Sequence, residues 1–151
     1  MVRRPPRVFL DSSVVIAGIL SPRGGSAAVI DLARVNIVRL ALSETIIREA
    51  HENLAKKAGR EQLRALFVLA IEFKSSIARS PTDQQLRRYD GLILDVHDRH
   101  VLAGAATTRS SVLLSLDRRH FFTETLRAAK LSFTIQTPGD FLTELRASLR
   151  E

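Results

Sequence analysis

Four acidic residues of this chain are candidates for a single metal site: Asp11, Glu49, Asp98 and Asp117. Asp11 directly follows a run of strand-forming residues, 7–10, and Asp117 directly follows another, 111–116. Parallel strands carry ligand sites at their carboxyl ends, so we expect both acids at the same edge of a sheet. Carboxylates brought together raise one another's pKa unless a cation neutralises them. Hard oxygen ligands favour Mg²⁺ or Mn²⁺, and such a site can activate water for attack on phosphorus.

Hydroxyl groups stand close to two of these acids. Ser12 and Ser13 follow Asp11, and Ser115 lies two residues before Asp117. Hydrogen bonds from these side chains would orient the carboxylates for a metal. The segment from Asp11 to Ser13 is equally typical of a helix N-cap or a turn. Taken alone it favours the cap, so the site hypothesis depends on the acids as a set.

The third acid also has two interpretations. Asp95 and Asp98 open a predicted helix, where they suit a capping box and the positive end of the helix dipole. Asp98 would also present its carboxylate from the first turn toward the strand ends. The two roles are compatible, and Asp95 either assists Asp98 or only caps the helix.

Glu49 lies at the border of the apolar arc of its predicted helix, residues 44–58. A border position suits a side chain that faces a cleft. An isolated glutamate there is more typical of a solvated helix surface. The assignment of Glu49 to the metal site therefore also depends on the four acids taken together.

Other chemistries fit the sequence less well. With no cysteine, the chain has no thiol nucleophile, thiolate metal site or disulfide. The four histidines are predicted not to form a metal-binding pair with acidic support, and two of them, His97 and His100, are predicted at the surface. No glycine-rich phosphate loop is present. One Tyr and no Trp argue against an aromatic platform for stacked bases.

Length and composition predict one domain over residues 1–151, with a flexible basic tail at residues 1–6. The 23 Lys and Arg outnumber the 16 Asp and Glu, giving a net charge of +7. This charge suits a nucleic-acid partner, although it would also serve solubility alone. The N-terminal segment does not resemble a signal peptide, and the apolar run at 14–20 is too short to cross a membrane. We therefore expect a cytoplasmic protein without a membrane partner.

The remaining pattern alternates strands with helices, which favours an α/β fold with a mainly parallel sheet. Predicted strands cover residues 7–10, 36–42, 75–78, 111–116 and 131–136. Predicted helices cover residues 26–35, 44–58 (ended by Gly59), 63–71, 82–89, 95–108 and 118–130. A last helix begins after Thr137, with Pro138 in its first turn and a buried face of Phe141, Leu142, Leu145 and Leu149.

Five segments together resemble the PIN-domain nucleases, in particular the VapC-like toxins and their relatives. They are residues 8–14 (VFLDSSV), 42–49 (LSETIIRE), 95–105 (DVHDRHVLAGA), 113–121 (LLSLDRRHF) and 137–142 (TPGDFL). Each is weak alone, but their order and spacing cover nearly the whole chain. Ser12–Ser13 stands where the family often has Thr followed by Asn or Ser, and Ser115–Leu116–Asp117 where Thr-Gly-Asp is common. Both departures keep a hydroxyl.

The resemblance implies a three-layer PIN-like fold with a central, mainly parallel five-stranded sheet flanked by helices. It implies an Mg²⁺ or Mn²⁺ site in which Asp11, Asp98 and Asp117 hold the metal. Glu49 would complete the cage or position water, and Glu44 and Glu52 compete for that role. It further implies cleavage of RNA, frequent homodimers and often an antitoxin that blocks the site.

Two other functions remain in view. One is a catalytically weak RNA-binding or protein-interaction module that keeps the fold, with the helical pair at 44–73 as a partner surface. The other is a phosphatase with an Asp nucleophile. That class needs a second Asp two residues after Asp11, where this chain has Ser13, so it ranks last.

Overall fold

The structure, a computed structural model, describes residues 4–150. Its five strands are β1 (Arg7–Leu10), β2 (Arg39–Ser43), β3 (Ile77–Ala78), β4 (Val112–Leu114) and β5 (Thr134–Gln136). They form one sheet in the order β3-β2-β1-β4-β5, and every neighbouring pair is parallel. The sequence prediction of a five-stranded, mainly parallel sheet is confirmed.

Helices surround this sheet in a three-layer arrangement. They are α1 (Ser12–Leu20), α2 (Gly25–Arg34), α3 (Glu44–Lys57), α4 (Arg60–Glu72), α5 (Asp83–Arg87), α6 (Arg99–Thr107), α7 (Arg118–Phe121), α8 (Glu124–Ala128) and α9 (Pro138–Ser148). Single 3₁₀ turns cover Lys74–Ser76 and Val96–Asp98. The α1, α2, α3, α4 and α9 helices contact one another, whereas α6 packs on β1, β2 and β4 and contacts α5.

The centre of the core is β1, whose residues Val8, Phe9 and Leu10 are fully buried. A parallel strand covered on both faces reads as a continuous apolar run, which is why the prediction for residues 7–10 is accurate. The chain runs from β1 to β2 and β3 on one side, then returns to β4 and β5 on the other. The carboxyl ends of β1 and β4 therefore border a topological switch point, where α/β folds bind ligands.

The first helix, α1, was not among the predicted helices. Its sequence is apolar on every side and rich in β-branched residues, so it carries no helical periodicity. It forms because the Asp11 side chain accepts a hydrogen bond from the backbone N–H of Ser12 at its start.

Two predicted helices are interrupted. The helix predicted at 95–108 begins as the 3₁₀ turn at Val96–Asp98, with Asp95 as its cap, and becomes α-helical only at Arg99. The helix predicted at 118–130 divides into α7 and α8, because Thr123 is extended and its hydroxyl caps a new helix at the N–H of Leu126.

Some predicted burial and boundaries were wrong. Leu149 is 70% exposed at the end of α9, whereas Phe141 is buried as expected. The helix at 63–71 was predicted from an apolar stripe of Leu63, Leu66, Phe67, Ala70 and Ile71, but Phe67 of this stripe is 67% exposed on α4. Gly59 caps the start of α4. The preceding helix, α3, ends at Lys57, one residue before its predicted end at residue 58.

The predicted tail at residues 1–6 lies partly outside the described residues, which begin at Arg4. Pro5 and Pro6 are hydrogen-bonded through their carbonyls to the Arg39 side chain and backbone N–H. This part of the segment is therefore held against β2. Among residues 4–150, no single helix is long and apolar enough to cross a membrane; α1 and α2 meet the criterion only as a pair bent by 94°.

Candidate functional site

Asp11 lies at the carboxyl end of β1 and is 6% exposed. Its Oδ1 accepts the backbone N–H of Ser12 at 2.8 Å. Its Oδ2 accepts the hydroxyls of Ser13 at 2.9 Å and Ser115 at 2.8 Å. Burial raises the pKa of Asp11, the hydrogen bonds from Ser115, Ser13 and Ser12 offset part of this, and the charge of Glu49 raises it further. The predicted cap and the predicted oriented carboxylate are therefore the same group.

The two serine hydroxyls also join the ends of β1 and β4. Ser115 Oγ accepts the backbone N–H of Asp117 at 3.0 Å while donating to Asp11. Ser13 Oγ accepts the N–H of Leu116 at 3.1 Å. These bonds set the first and fourth acids side by side, because each hydroxyl contacts both strand ends.

Asp98 stands at the start of α6, and its side chain is 21% exposed. Its pKa is raised to about 6, chiefly by burial and then by the charges of Asp95, Asp11 and Asp117, while His120 lowers it. The charges of these four side chains therefore act on the Asp98 carboxylate. Asp98 makes no side-chain cap bond, so the predicted capping box with Asp95 did not form; Asp95 alone caps, accepting the N–H of His97 at 2.9 Å.

Asp117 is paired with a histidine that the sequence analysis assigned no role. Its Oδ2 lies 2.6 Å from His120 Nδ1, and its Oδ1 accepts the N–H of His120 at 3.2 Å. His120 Nδ1 also lies 3.8 Å from Asp98 Oδ2. The hydrogen bond to Asp117 raises the pKa of His120. The sequence analysis predicted no metal-binding pair of histidines with acidic support and gave His120 alone no role. The i, i+3 spacing of Asp117 and His120 on one helical turn was the available signal.

Glu49 is half-buried on α3, whereas its predicted competitors Glu44 and Glu52 are exposed. Its charge contributes, as the smallest of the causes, to the raised pKa of Asp11. Its Oε1 lies 2.8 Å from Nε2 of His100, a residue only 8% exposed. His100 was predicted at the surface, and that prediction was wrong.

The donor set fits a divalent cation. Asp95, Asp98 and His120 each offer one ligand atom, and these three atoms lie within 4.8 Å of one another. The predicted triad of Asp11, Asp98 and Asp117 overlaps this group only at Asp98. The observation that supports a cation is the pKa of Asp98, raised in part by three neighbouring carboxylates. The carboxylate oxygens of this group suit Mg²⁺ or Mn²⁺, whereas an imidazole is more typical of softer cations.

A cleft of about 660 Å³ lies away from these acids, at the amino ends of the strands. Arg7, Arg34, Arg39, Arg109 and Glu72 contribute its charged groups. Arg34 is paired with Glu72, and Arg7 donates to the carbonyl of Thr108 after α6. Volume alone does not mark chemistry, and we place the candidate site at the perturbed acids instead.

Structural comparisons show the same fold in proteins of low sequence identity. FitAcB from Neisseria gonorrhoeae matches with a TM-score of 0.58 and 18% identity over 87% of this chain and 98% of its own. VapBC2 from Rickettsia felis, bound to a DNA fragment from its promoter, matches with 0.59 and 14% over 87% and 98%. PAE2754 from Pyrobaculum aerophilum matches with 0.58 and 21% over 95% and 91%. A comparison with curated proteins found no match.

The family model described as PIN domain matches residues 7–119. This region contains β1, β4 and all four predicted acids, and it ends just after Asp117. PIN domains are generally nucleases, a class of hydrolase. The match covers well over half of the chain and agrees with the fold, so the chain belongs to the PIN domain family.

Proposed function

We propose that this protein is an Mg²⁺- or Mn²⁺-dependent endoribonuclease that hydrolyses RNA phosphodiester bonds at the acidic cluster. One observation carries this proposal: ligand atoms of Asp95, Asp98 and His120 lie within 4.8 Å of one another. His120 is also hydrogen-bonded to Asp117. Mutually repelling carboxylates at a switch point of the sheet are costly to the fold, and a bound cation would remove that cost.

In this proposal Asp11, Asp98 and Asp117 hold the metal. Glu49 completes the cage or positions the attacking water. Ser12, Ser13 and Ser115 orient the first acid, and Asp95 supports Asp98. When bound, the cation would supply Lewis-acid activation of water and neutralise charge at phosphorus.

The choice of RNA rests on the PIN resemblance and on charge. The net charge is +7. Arg118 and Arg119 are exposed and directly follow Asp117, where their side chains would hold backbone phosphates next to the acids.

The proposal extends to partners. The resemblance to VapC-like toxins implies a cognate antitoxin and a homodimer, and a VapBC complex is among the similar structures. We propose the toxin role on that basis. Co-expression with the product of an adjacent small gene, followed by purification through one tagged chain, tests it, and a monomer without such a partner would contradict it.

The test of the activity is a cleavage panel. Purified protein is incubated with structured RNAs, unstructured RNAs and matched DNAs, with Mg²⁺, with Mn²⁺ and with a chelator. We expect internal cuts in RNA that require metal. Metal-independent cutting, or cutting of DNA alone, would contradict the proposal. Tight RNA binding without cleavage under any condition would favour the alternative, a catalytically weak RNA-binding module.

A further inference from the structure

Glu49 and His100 form a contact that the proposed reaction does not use. Glu49 is on α3 and His100 is on α6, and Oε1 of the first lies 2.8 Å from Nε2 of the second. The His100 side chain is 10% exposed and that of Glu49 is 33% exposed. This is the distance of a charge-assisted hydrogen bond, in a region largely closed to water.

Two buried atoms of this pair lack a well-formed hydrogen bond among residues 4–150: Glu49 Oε1 and His100 Nδ1. Oε1 is therefore close to Nε2 but not aligned with it. A buried polar atom left unsatisfied costs about 1–3 kcal/mol, so such groups call for a functional or structural explanation. Because two such atoms occur in one contact, we infer that the Glu49 carboxylate lies close to the His100 ring but outside the orientation of a well-formed hydrogen bond.

The unpartnered Nδ1 also indicates where the imidazole proton lies. A proton on Nδ1 would be a buried donor without an acceptor, the costlier arrangement. A proton on Nε2 instead faces the Glu49 carboxylate. His100 is then a donor toward Glu49, and a small rotation of the carboxylate would complete the bond.

The contact connects two acids that the proposed site requires. His100 is two residues after Asp98, and Glu49 acts on the pKa of Asp11. A bond between α3 and α6 at this point therefore restrains Glu49 relative to the helix that begins at Asp98. The exposed Glu44 and Glu52 have no ion pair among the described residues.

We propose that His100 is a positioning residue that holds the Glu49 carboxylate toward the acidic cluster, and thereby makes Glu49 the fourth acid. This inference rests on the proposed nuclease function. In this role His100 contacts neither substrate nor metal, and it acts only through Glu49.

The test compares His100→Met with His100→Gln, which keeps a donor of similar reach. His51→Met is the matched control, since His51 is exposed on the same helix as Glu49. Single-turnover rates and KM are measured with an RNA substrate, and Mn²⁺ affinity is measured by electron paramagnetic resonance titration. We expect His100→Met to lower the rate about 10–100-fold with little change in KM, as for other residues that orient metal-site groups. His100→Gln should recover most of the rate, and Mn²⁺ affinity should follow the same order.

A double variant separates positioning from simple loss of packing. If His100 acts through Glu49, Glu49→Gln combined with His100→Met should be no slower than Glu49→Gln alone. Multiplicative effects, or a His100→Met protein with wild-type rate and Mn²⁺ affinity, would overturn the inference. Should His100→Met fail to fold, His100→Asn, whose shorter side chain withdraws the donor from Glu49, is compared with wild type in the Glu49 and Glu49→Gln backgrounds. A wild type that cuts no RNA would contradict the nuclease function, while the Mn²⁺ titrations still test the Glu49–His100 contact.

Discussion

Asp11 performs two tasks with one carboxylate. It caps α1 through the N–H of Ser12, and it lies buried beside the other acids with serine hydroxyls on its second oxygen. At the residue level the cap and the site were posed as alternatives, but the structure combines them. The reason is positional: the carboxyl end of a strand and the start of the following helix are the same place in an α/β fold.

Ser115 provides a direct test of how the first acid is oriented. It is fully buried, donates to Asp11 and accepts from the N–H of Asp117. Ser115→Ala should lower cleavage about 10–100-fold, because it removes the hydrogen bond that orients the proposed ligand. Ser115→Thr keeps the hydroxyl and should retain most of the activity. Equal activity in the two variants, measured under single turnover, would show that the hydroxyl is not needed.

The pKa of Asp98 predicts how the stability of the metal-free protein depends on pH. The folded-state value is about 6 against a reference of 3.8. The folded protein therefore binds this proton more tightly than the unfolded chain, and stability falls as pH rises from 3.8 to about 6.

Asp98→Asn should remove this loss. The variant should be more stable than wild type at pH 7 without metal, by up to about 3 kcal/mol from the shift, and the difference should vanish below pH 4. Urea unfolding in a chelator at several pH values measures it. A variant that is less stable than wild type at pH 7 would contradict the interpretation that burial and the neighbouring carboxylates destabilise the ionised Asp98.

At the scale of elements, helices and strands were predicted accurately where the sequence has a clear apolar pattern or a capping residue. β1, α3 with its Ser43 cap, and α9 with Thr137 and Pro138 carry strong local signals, and the structure has them close to the predicted bounds. The apolar run of α1 has no period, so its helix was missed. The break between α7 and α8 depends on the Thr123 hydroxyl, which caps α8. The apolar pattern of residues 118–130 does not indicate this break.

Side-chain partners across elements were harder to predict. Asp11 and Asp117 follow strands and could be located from strand ends alone. The position of Glu49 depends on the rotation of α3, and that of His100 on the packing of α6 against the sheet. The local sequence pattern does not determine either position, because both depend on tertiary contacts.

Gly104 on α6 determines how closely the helix carrying His100 approaches the sheet. A Cβ at this position would overlap the ring of Phe9, which is fully buried. Gly104→Ala gains up to about 1 kcal/mol of helix propensity but overpacks the core at a cost of about 1–3 kcal/mol. We expect a net loss of stability and a lower rate as α6 shifts. Gly139→Ala on α9 meets no atom within 4 Å and is the control; a more stable Gly104→Ala would contradict the close packing, as judged by thermal unfolding.

At the scale of the whole molecule, the topology accounts for the convergence of distant acids. Asp11 and Asp117 are far apart in sequence, yet β1 and β4 are adjacent and parallel, so their carboxyl ends meet. The chain has a net charge of +7, and the exposed Arg118 and Arg119 directly follow Asp117 at this edge. Electrostatics should therefore govern how the protein meets a polyanion.

Binding of RNA in a chelator should weaken as salt increases. The logarithm of the binding constant should fall linearly with the logarithm of salt concentration, by about 0.7 for each phosphate contact with single-stranded RNA. Arg118→Gln and Arg119→Gln should each reduce that slope by about this amount if they hold backbone phosphates. Fluorescence anisotropy measures it, and an unchanged slope in both variants would remove these arginines from the interface.

We propose that the acidic cluster at the ends of β1 and β4 performs metal-dependent RNA cleavage. The most direct measurement compares cleavage by wild type, Asp11→Asn and Asp31→Asn in Mn²⁺, with thermal unfolding of all three. Asp31 is an exposed acid paired with Arg34 and is the matched control. We expect Asp11→Asn to fold but to cut only at the background level, while Asp31→Asn cuts like wild type. Wild-type cleavage by folded Asp11→Asn would contradict it.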